Sequence, residues 1–155
     1  MQKIEIKIEL HSVVLLVGPS NCGKSTFAKN TLIPKLQEQD SNKLFNIGYI
    51  SSDDIRRELL GKDFDKYDDR MTEVSSVAFN EIYHRLESYL RFPVKKEIVI
   101  VDTTGLSEDF RSKINNICET NNYKMNLLMF EYKNKEDYNL FGDIDNKLMF
   151  RHITK

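Results

Sequence analysis

The sequence lacks any apolar run approaching the length of a membrane span, which excludes a helix crossing a bilayer. Its opening, MQKIEIKIEL, alternates instead of building the continuous apolar core of a secretory signal, so the expectation is a cytoplasmic protein. Cysteine is scarce. Cys22 and Cys118 stand far apart and make no metal-ligand spacing, which fits a reducing compartment and requires no structural disulfide. An excess of either charge is also missing: 23 Lys and Arg against 24 Asp and Glu leave a net charge of −1. Such balance neither suggests nor excludes nucleic acid, because a local basic groove can form on a neutral domain. His11, His84 and His152 are scattered without a useful spacing and receive no role. There is no internal repeat and no low-complexity segment. At 155 residues the chain suits one domain, 1–155, with a single core, and is short for two.

What the chain does have is concentrated between Val13 and Asn30. Five consecutive apolar residues, Val13 to Val17, lead into Gly18, Pro19, Ser20, Asn21, Cys22, Gly23, Lys24, Ser25 and Thr26, which complete the spacing G-x-x-x-x-G-K-[ST] of a P-loop. The glycines let the backbone turn tightly around an anion, so that successive N–H groups and the start of the following helix point at nucleotide phosphates. Lys24 adds a point charge there and the Ser25 hydroxyl a ligand for Mg²⁺. The strand before and the helix after, with Phe27, Ala28, Thr31 and Leu32 on one side, are the context the motif needs. ATP and Mg²⁺ are the cofactors this predicts.

The rest of the chain alternates strands and helices. Lys3 to Leu10 alternates strictly, with Ile4, Ile6, Ile8 and Leu10 on one face, and predicts an edge strand. The helix after the P-loop should run to about Gln39, bent or shortened at Pro34. Leu44 to Ile50 predicts a second core strand, followed by a short helix that the serines and acids from Ser51 to Asp54 can start. Gly61 to Arg70 reads as an exposed loop, and Thr72 as the cap of the longest helix, whose apolar positions Val74, Val77, Ala78, Ile82, Leu86, Tyr89 and Leu90 repeat until Pro93. Ile98 to Val101 is a third buried strand ending at Asp102, Ser107 caps the next helix, and Lys124 to Tyr132 is a fourth strand. Beyond Lys133 the pattern weakens, with a turn or two of helix over Glu136 to Phe141 and another helix over Asp145 to Lys155. The fold class expected is α/β: a three-layer P-loop NTPase fold whose mostly parallel sheet is flanked by helices.

In that fold Gly18, Asp53 and Asp102 each follow the carboxyl end of a core strand, the edge where open α/β sheets bind ligands. Phosphoryl transfer needs the phosphate aligned, its charge neutralised and the nucleophile's proton accepted. Asp53 is the candidate base, and Arg56, three residues on, a candidate holder of the acceptor's phosphate. The plainer alternative is that Asp53 and Asp54 favour a helix N-terminus and that Asp53 pairs with Arg56 on the surface. Asp102 either holds Mg²⁺ as a Walker B acid or closes a strand-end turn. Arg111 could reach a phosphate or stay solvated, and Tyr67 could stack on a base.

The stretches GPSNCGKSTFAKN, YISSDDIRREL and VIVDTTGLSEDFR resemble the kinase domain of the bacterial polynucleotide kinase-phosphatase family, enzymes of nucleic-acid end repair. The likeness covers most of residues 12–132, and its S-S-D-x-x-R element is the most specific part. The resemblance implies transfer of the ATP γ-phosphate to the 5′-hydroxyl end of RNA or DNA, with Lys24 and Ser25 handling ATP and Mg²⁺, Asp53 the general base, and Arg56 on the acceptor phosphate. It departs where Gly105 replaces the family's Asn, and where Arg151 and lysines 133, 135, 147 and 155 stand in place of several lid arginines. KLMFRHITK resembles the helix entering that lid, so 133–155 is expected to be a reduced or truncated lid, in a chain that could be one part of a longer repair protein. Two other functions fit the motifs: a small-molecule P-loop kinase, and an ATP-binding regulatory module with little turnover.

Overall fold

The computed structural model describes residues 8–18, 24–39, 46–61, 71–103, 107–132 and 148–154. Ser12–Val17 forms β1, every residue of it buried. After the P-loop come α1 (Lys24–Phe27), one π-helical turn (Ala28–Leu32) and α2 (Ile33–Gln39), which together make the helix expected up to Gln39. The π turn is the local answer to Pro34. Proline has no N–H to donate, and its ring collides with the carbonyl four residues back in an ordinary α-turn. Widening the preceding turn, with the Ile33 N–H donating to the Ala28 carbonyl, lets the helix continue past it.

Ile47–Ser51 forms β2, and Ser51 caps α3 (Ser52–Leu60) by accepting from the Asp54 N–H at 3.3 Å. Helix α4 spans Met71–Tyr89, so Thr72 lies inside the helix instead of capping it. Its inward side is Ala78, Ile82 and Leu86, with Leu90 just beyond; Val77, expected inside, is 52% exposed, and Phe79 packs against the core instead. Ile98–Asp102 forms β3, Glu108–Thr120 forms α5 with Ser107 as its cap, and Lys124–Tyr132 forms β4. With Leu148–Thr154 as β5, the strands among the described residues make one five-stranded sheet in the order β2-β3-β1-β4-β5. The first four strands in that order are parallel.

The fifth strand, Leu148–Thr154, corrects the expectation of a helix over 145–155. It pairs antiparallel with β4, Asn126 opposite Thr154 through Tyr132 opposite Leu148. Without it the outer N–H and C=O groups of β4 would form an open edge, and the segment LMFRHIT has the aromatic and β-branched residues that suit a strand. At the other end, residues 8–10 are not in a strand: Ile8 is buried and Leu10 is 46% exposed, so they do not share one face. The expected strand over residues 3–7, the loop over 62–70 with Tyr67, and the helical turns over 136–141 lie outside the described residues.

Alternation along the strands divides the core into two layers. Val13, Leu15, Val17, Val99 and Val101 face α3, α4 and α5, while Val14, Leu16, Ile98 and Ile100 face the helix that follows the P-loop. β2 lies tight against α4 at Gly48, where an added Cβ would come within 3.0 Å of the Tyr89 ring. The connection leaving β1 passes to one face and that leaving β3 to the other, so the chain parts at the carboxyl ends of these neighbouring strands. Such a division opens a crevice in α/β sheets.

Ile82 is fully buried in the larger layer, and Ile82→Ala is expected to lower stability by about 2–5 kcal/mol in urea unfolding, through lost burial and the cavity left behind. Cys118 is buried beside it in the same layer, and burial, with a smaller contribution from the charge of Glu119, pushes its thiol up from 9.0 to about 12. Its raised folded value stabilises the fold fully below its unfolded value, and this contribution is lost as pH rises towards 12. Cys118 should therefore resist alkylation at mildly alkaline pH in the native protein and react once denaturant unfolds it, a difference that mass spectrometry reads directly.

Candidate nucleotide-binding site

The candidate site is built from groups that the topology delivers to one sheet edge. Gly18 follows the last residue of β1, and Lys24 begins the next helix, with Pro19 to Gly23 lying outside the described residues. Lys24 is only 7% exposed, and its Nζ donates to the Gly18 carbonyl at 2.9 Å. A buried ammonium is costly without such an acceptor. The bond ties the first residue of the helix back to the residue that ends the strand.

Ser25, the next residue, donates from Oγ to Asp102 Oδ2 at 2.5 Å across a sequence separation of 77 residues. Asp102 ends β3, beside β1 in the sheet, with Leu16 opposite it. At 4% exposure its carboxylate needs donors, and it has a second in the Tyr49 hydroxyl, which also reaches Oδ2 at 2.5 Å. Tyr49 sits two residues before the end of β2, with its ring 5.5 Å from Lys29 Nζ on the P-loop helix. Burial, and then the bond to Asp102, raise the Tyr49 hydroxyl well above its ordinary 10.0, so the phenol is a proton donor throughout the physiological range.

The predicted cation ligands Ser25 and Asp102 are thus in contact. A hydroxyl and a carboxylate are hard oxygen donors of the kind Mg²⁺ takes, and one carboxylate suffices because nucleotide phosphates and waters complete its shell. The residues present fit that ion. Thr26, the residue after the motif, is exposed on α1. Tyr49 was not foreseen from sequence; its one signal is a phenol within a core strand, which must find a partner for its hydroxyl when buried.

Asp53 and Arg56 occupy the first turns of α3, straight after β2. Asp53 is 61% exposed, and its Oδ1 accepts from Arg56 at 3.1 Å, the pairing that the plainer sequence reading described. Arg56 is held more closely: its side chain is 12% exposed, donates to Ser52 Oγ at 3.3 Å and lies 5.9 Å from the centre of the Phe79 ring. Its Nε is buried without an acceptor among the described residues. Asp54 pairs with Arg57, both well exposed. Arg111 stands in the first turn of α5, at the same sheet edge as Asp102.

A family model described as an AAA domain matches residues 13–136, from β1 to beyond β4. The chain belongs to that family. As an AAA domain it has the α/β P-loop fold expected, with nucleotide binding as the family's shared property. A relative in Synechococcus elongatus, the sulfate/thiosulfate import ATP-binding protein CysA, is 28% identical over 118 residues, 74% of this chain, while the chain spans only 34% of that protein. Among solved structures, a candidate kinase from Chloroflexus aurantiacus superposes with a TM-score of 0.59 at 14% identity, covering 79% of this chain and 60% of the other. A Pnkp1/Rnl/Hen1 complex superposes more loosely, with a TM-score of 0.47 at 16% identity over 83% of this chain and 38% of that one, and carries no argument. At these identities the shared property is a kinase-like fold. Among the described residues, no helix is long and apolar enough to cross a membrane.

Replacing Lys24 with Ala should weaken binding of a fluorescent ATP analogue by at least about tenfold, the scale of one charge-assisted hydrogen bond to phosphate. Equilibrium fluorescence titration of the two proteins checks it.

Proposed function

We propose that this AAA domain is a cytoplasmic ATP-dependent phosphotransferase that moves the γ-phosphate of ATP to the 5′-hydroxyl end of RNA or DNA. The observation that carries this reading is the arrangement at the start of α3. Ser51 lies opposite Asp102 in the sheet, so Asp53 emerges two residues beyond the level of the cation carboxylate. β2 is separated from β1 by β3, which places the start of α3 two strand spacings, roughly 9–10 Å, from the P-loop strand. A transferring phosphoryl group and an incoming hydroxyl fit in that interval.

Each residue then has a task of its own. Lys24 and the P-loop amides hold the β- and γ-phosphates, and Ser25 with Asp102 would hold Mg²⁺. When bound, that ion neutralises charge on the phosphates. Asp53, exposed at the crevice side of the second strand, accepts the proton of the attacking hydroxyl. Arg56, fixed between Ser52 and Asp53, takes a phosphate of the acceptor strand. A hydroxyl flanked by a phosphate is what the 5′ end of a nucleic acid offers, and a guanidinium positioned in advance favours such an acceptor over a neutral alcohol. The resemblance of Ser51-Ser52-Asp53 and Arg56 to the polynucleotide kinase element supports the same assignment. In this reading any lid over the phosphates comes from residues 133–147, outside the described residues, since 148–154 belong to the sheet. Further repair domains in a longer protein would be its natural partners.

Incubation with γ-labelled ATP and a single-stranded oligonucleotide bearing a 5′-hydroxyl tests the proposal. Label should pass to the oligonucleotide. Label passing only to small alcohols would make the protein a small-molecule kinase, and ATP binding without transfer would make it a regulatory module. Asp53→Asn should lower kcat by about 10²–10⁴-fold, with ATP affinity retained. Arg56→Ala should act chiefly by raising KM for the oligonucleotide. Near-full turnover in Asp53→Asn would refute the general-base assignment.

A further inference from the structure

Tyr49 comes from outside the P-loop and β3 yet touches the carboxylate of Asp102 directly. Its hydroxyl and that of Ser25 converge on a single oxygen, Oδ2 of Asp102, each at 2.5 Å. The two donors differ in kind. Ser25 Oγ turns about one bond and is itself a hard ligand, so a divalent cation at the P-loop competes with Asp102 for its orientation. Tyr49 offers no such alternative. Its phenol is rigid, its ring is partly buried on β2 and faces the Lys29 ammonium at 5.5 Å, and its hydroxyl proton has Asp102 as its acceptor.

The carboxylate has little freedom to lose. Asp102 is 4% exposed, and a buried carboxylate that gave up a donor would swing towards another. A bond from a separate strand keeps Oδ2 engaged whichever way Ser25 turns. Outer partners of this sort orient metal-binding carboxylates in general.

We propose that Tyr49 is a positioning residue for the divalent cation: its phenol anchors Asp102 through Oδ2, so that the carboxylate meets the nucleotide-bound cation already oriented. This rests on the reading of the site as one for a nucleotide with its cation, and is independent of which acceptor receives the phosphate. It assigns β2 a part in binding the cation.

The test uses the full chain and its Tyr49→Phe variant, which keeps the ring and removes one oxygen. A fluorescent ATP analogue is titrated in chelator and at a series of Mg²⁺ concentrations, and free Mn²⁺ is counted by electron paramagnetic resonance with nucleotide present. Affinity in chelator should stay within about twofold, while the cation concentration for half-maximal effect rises about tenfold for both ions, as loss of a charge-assisted bond implies. In an Asp102→Asn background, Tyr49→Phe should add no further shift. Equal weakening with and without cation would overturn the proposal by making Tyr49 merely structural, as would an unchanged cation dependence or a shift that persists in the Asp102→Asn background. A wild-type chain that binds the analogue without any response to cation would overturn the cation site itself, and the inference with it; transfer to a small alcohol with an intact Tyr49 effect would refute only the polynucleotide acceptor.

Discussion

A carboxylate buried at the end of a central strand is the constraint around which this site is arranged. Asp102 is almost wholly out of water, and a carboxylate buried there needs hydrogen-bond donors. It receives two, from Ser25 on the P-loop helix and Tyr49 on β2, and so draws three elements that are distant in sequence onto one atom. The Lys24 bond to Gly18 repeats the device with opposite charge, giving a buried ammonium a backbone acceptor. Polar groups of both signs are thereby held in fixed positions at this sheet edge.

The sheet makes these meetings possible. Because β3 lies between β1 and β2, Asp102 is flanked on one side by the strand leading to the P-loop and on the other by the strand leading to α3. Strand alternation places Tyr49 and Asp102 on the face covered by the P-loop helix, together with Ile98 and Ile100, whereas Ile50, Val99 and Val101 turn to the face of α3, α4 and α5. Asp53 and Arg56 start a helix on the second face, so they and the pair Ser25 and Asp102 reach the same sheet edge from opposite layers.

A single spacing of glycines with Lys24 and Ser25 was enough to read the P-loop, and the runs before Gly18, Ser51 and Asp102 were enough to read a parallel sheet, because the first and last of them are apolar and buried along their whole length. The family match over 13–136 agrees with both. Local signals also served at Ser51 and Ser107, where a hydroxyl before an acidic turn caps a helix through a bond within a few residues. They failed at Leu148–Thr154, since whether a short apolar segment becomes helix or strand depends on an unpaired partner edge, here that of β4. Thr72 and Val77 failed for a related reason: the helix begins earlier and packs with Phe79 inward, a rotation set by its neighbours.

By itself, then, the sequence determined what is local or periodic: the phosphate-binding loop, the parallel strands, the capped helices and the candidate acids at strand ends. Tertiary structure alone decided which of those acids is buried and which is exposed, placing Asp102 under two hydroxyls while Asp53 remains 61% open beside Arg56. It also recruited Tyr49, whose part at the site no spacing announces. The physical reason is that hydrogen bonds to a buried charge are set by strand order and register, which bring together residues separated by 53 and 77 positions and leave no trace in any short window of sequence.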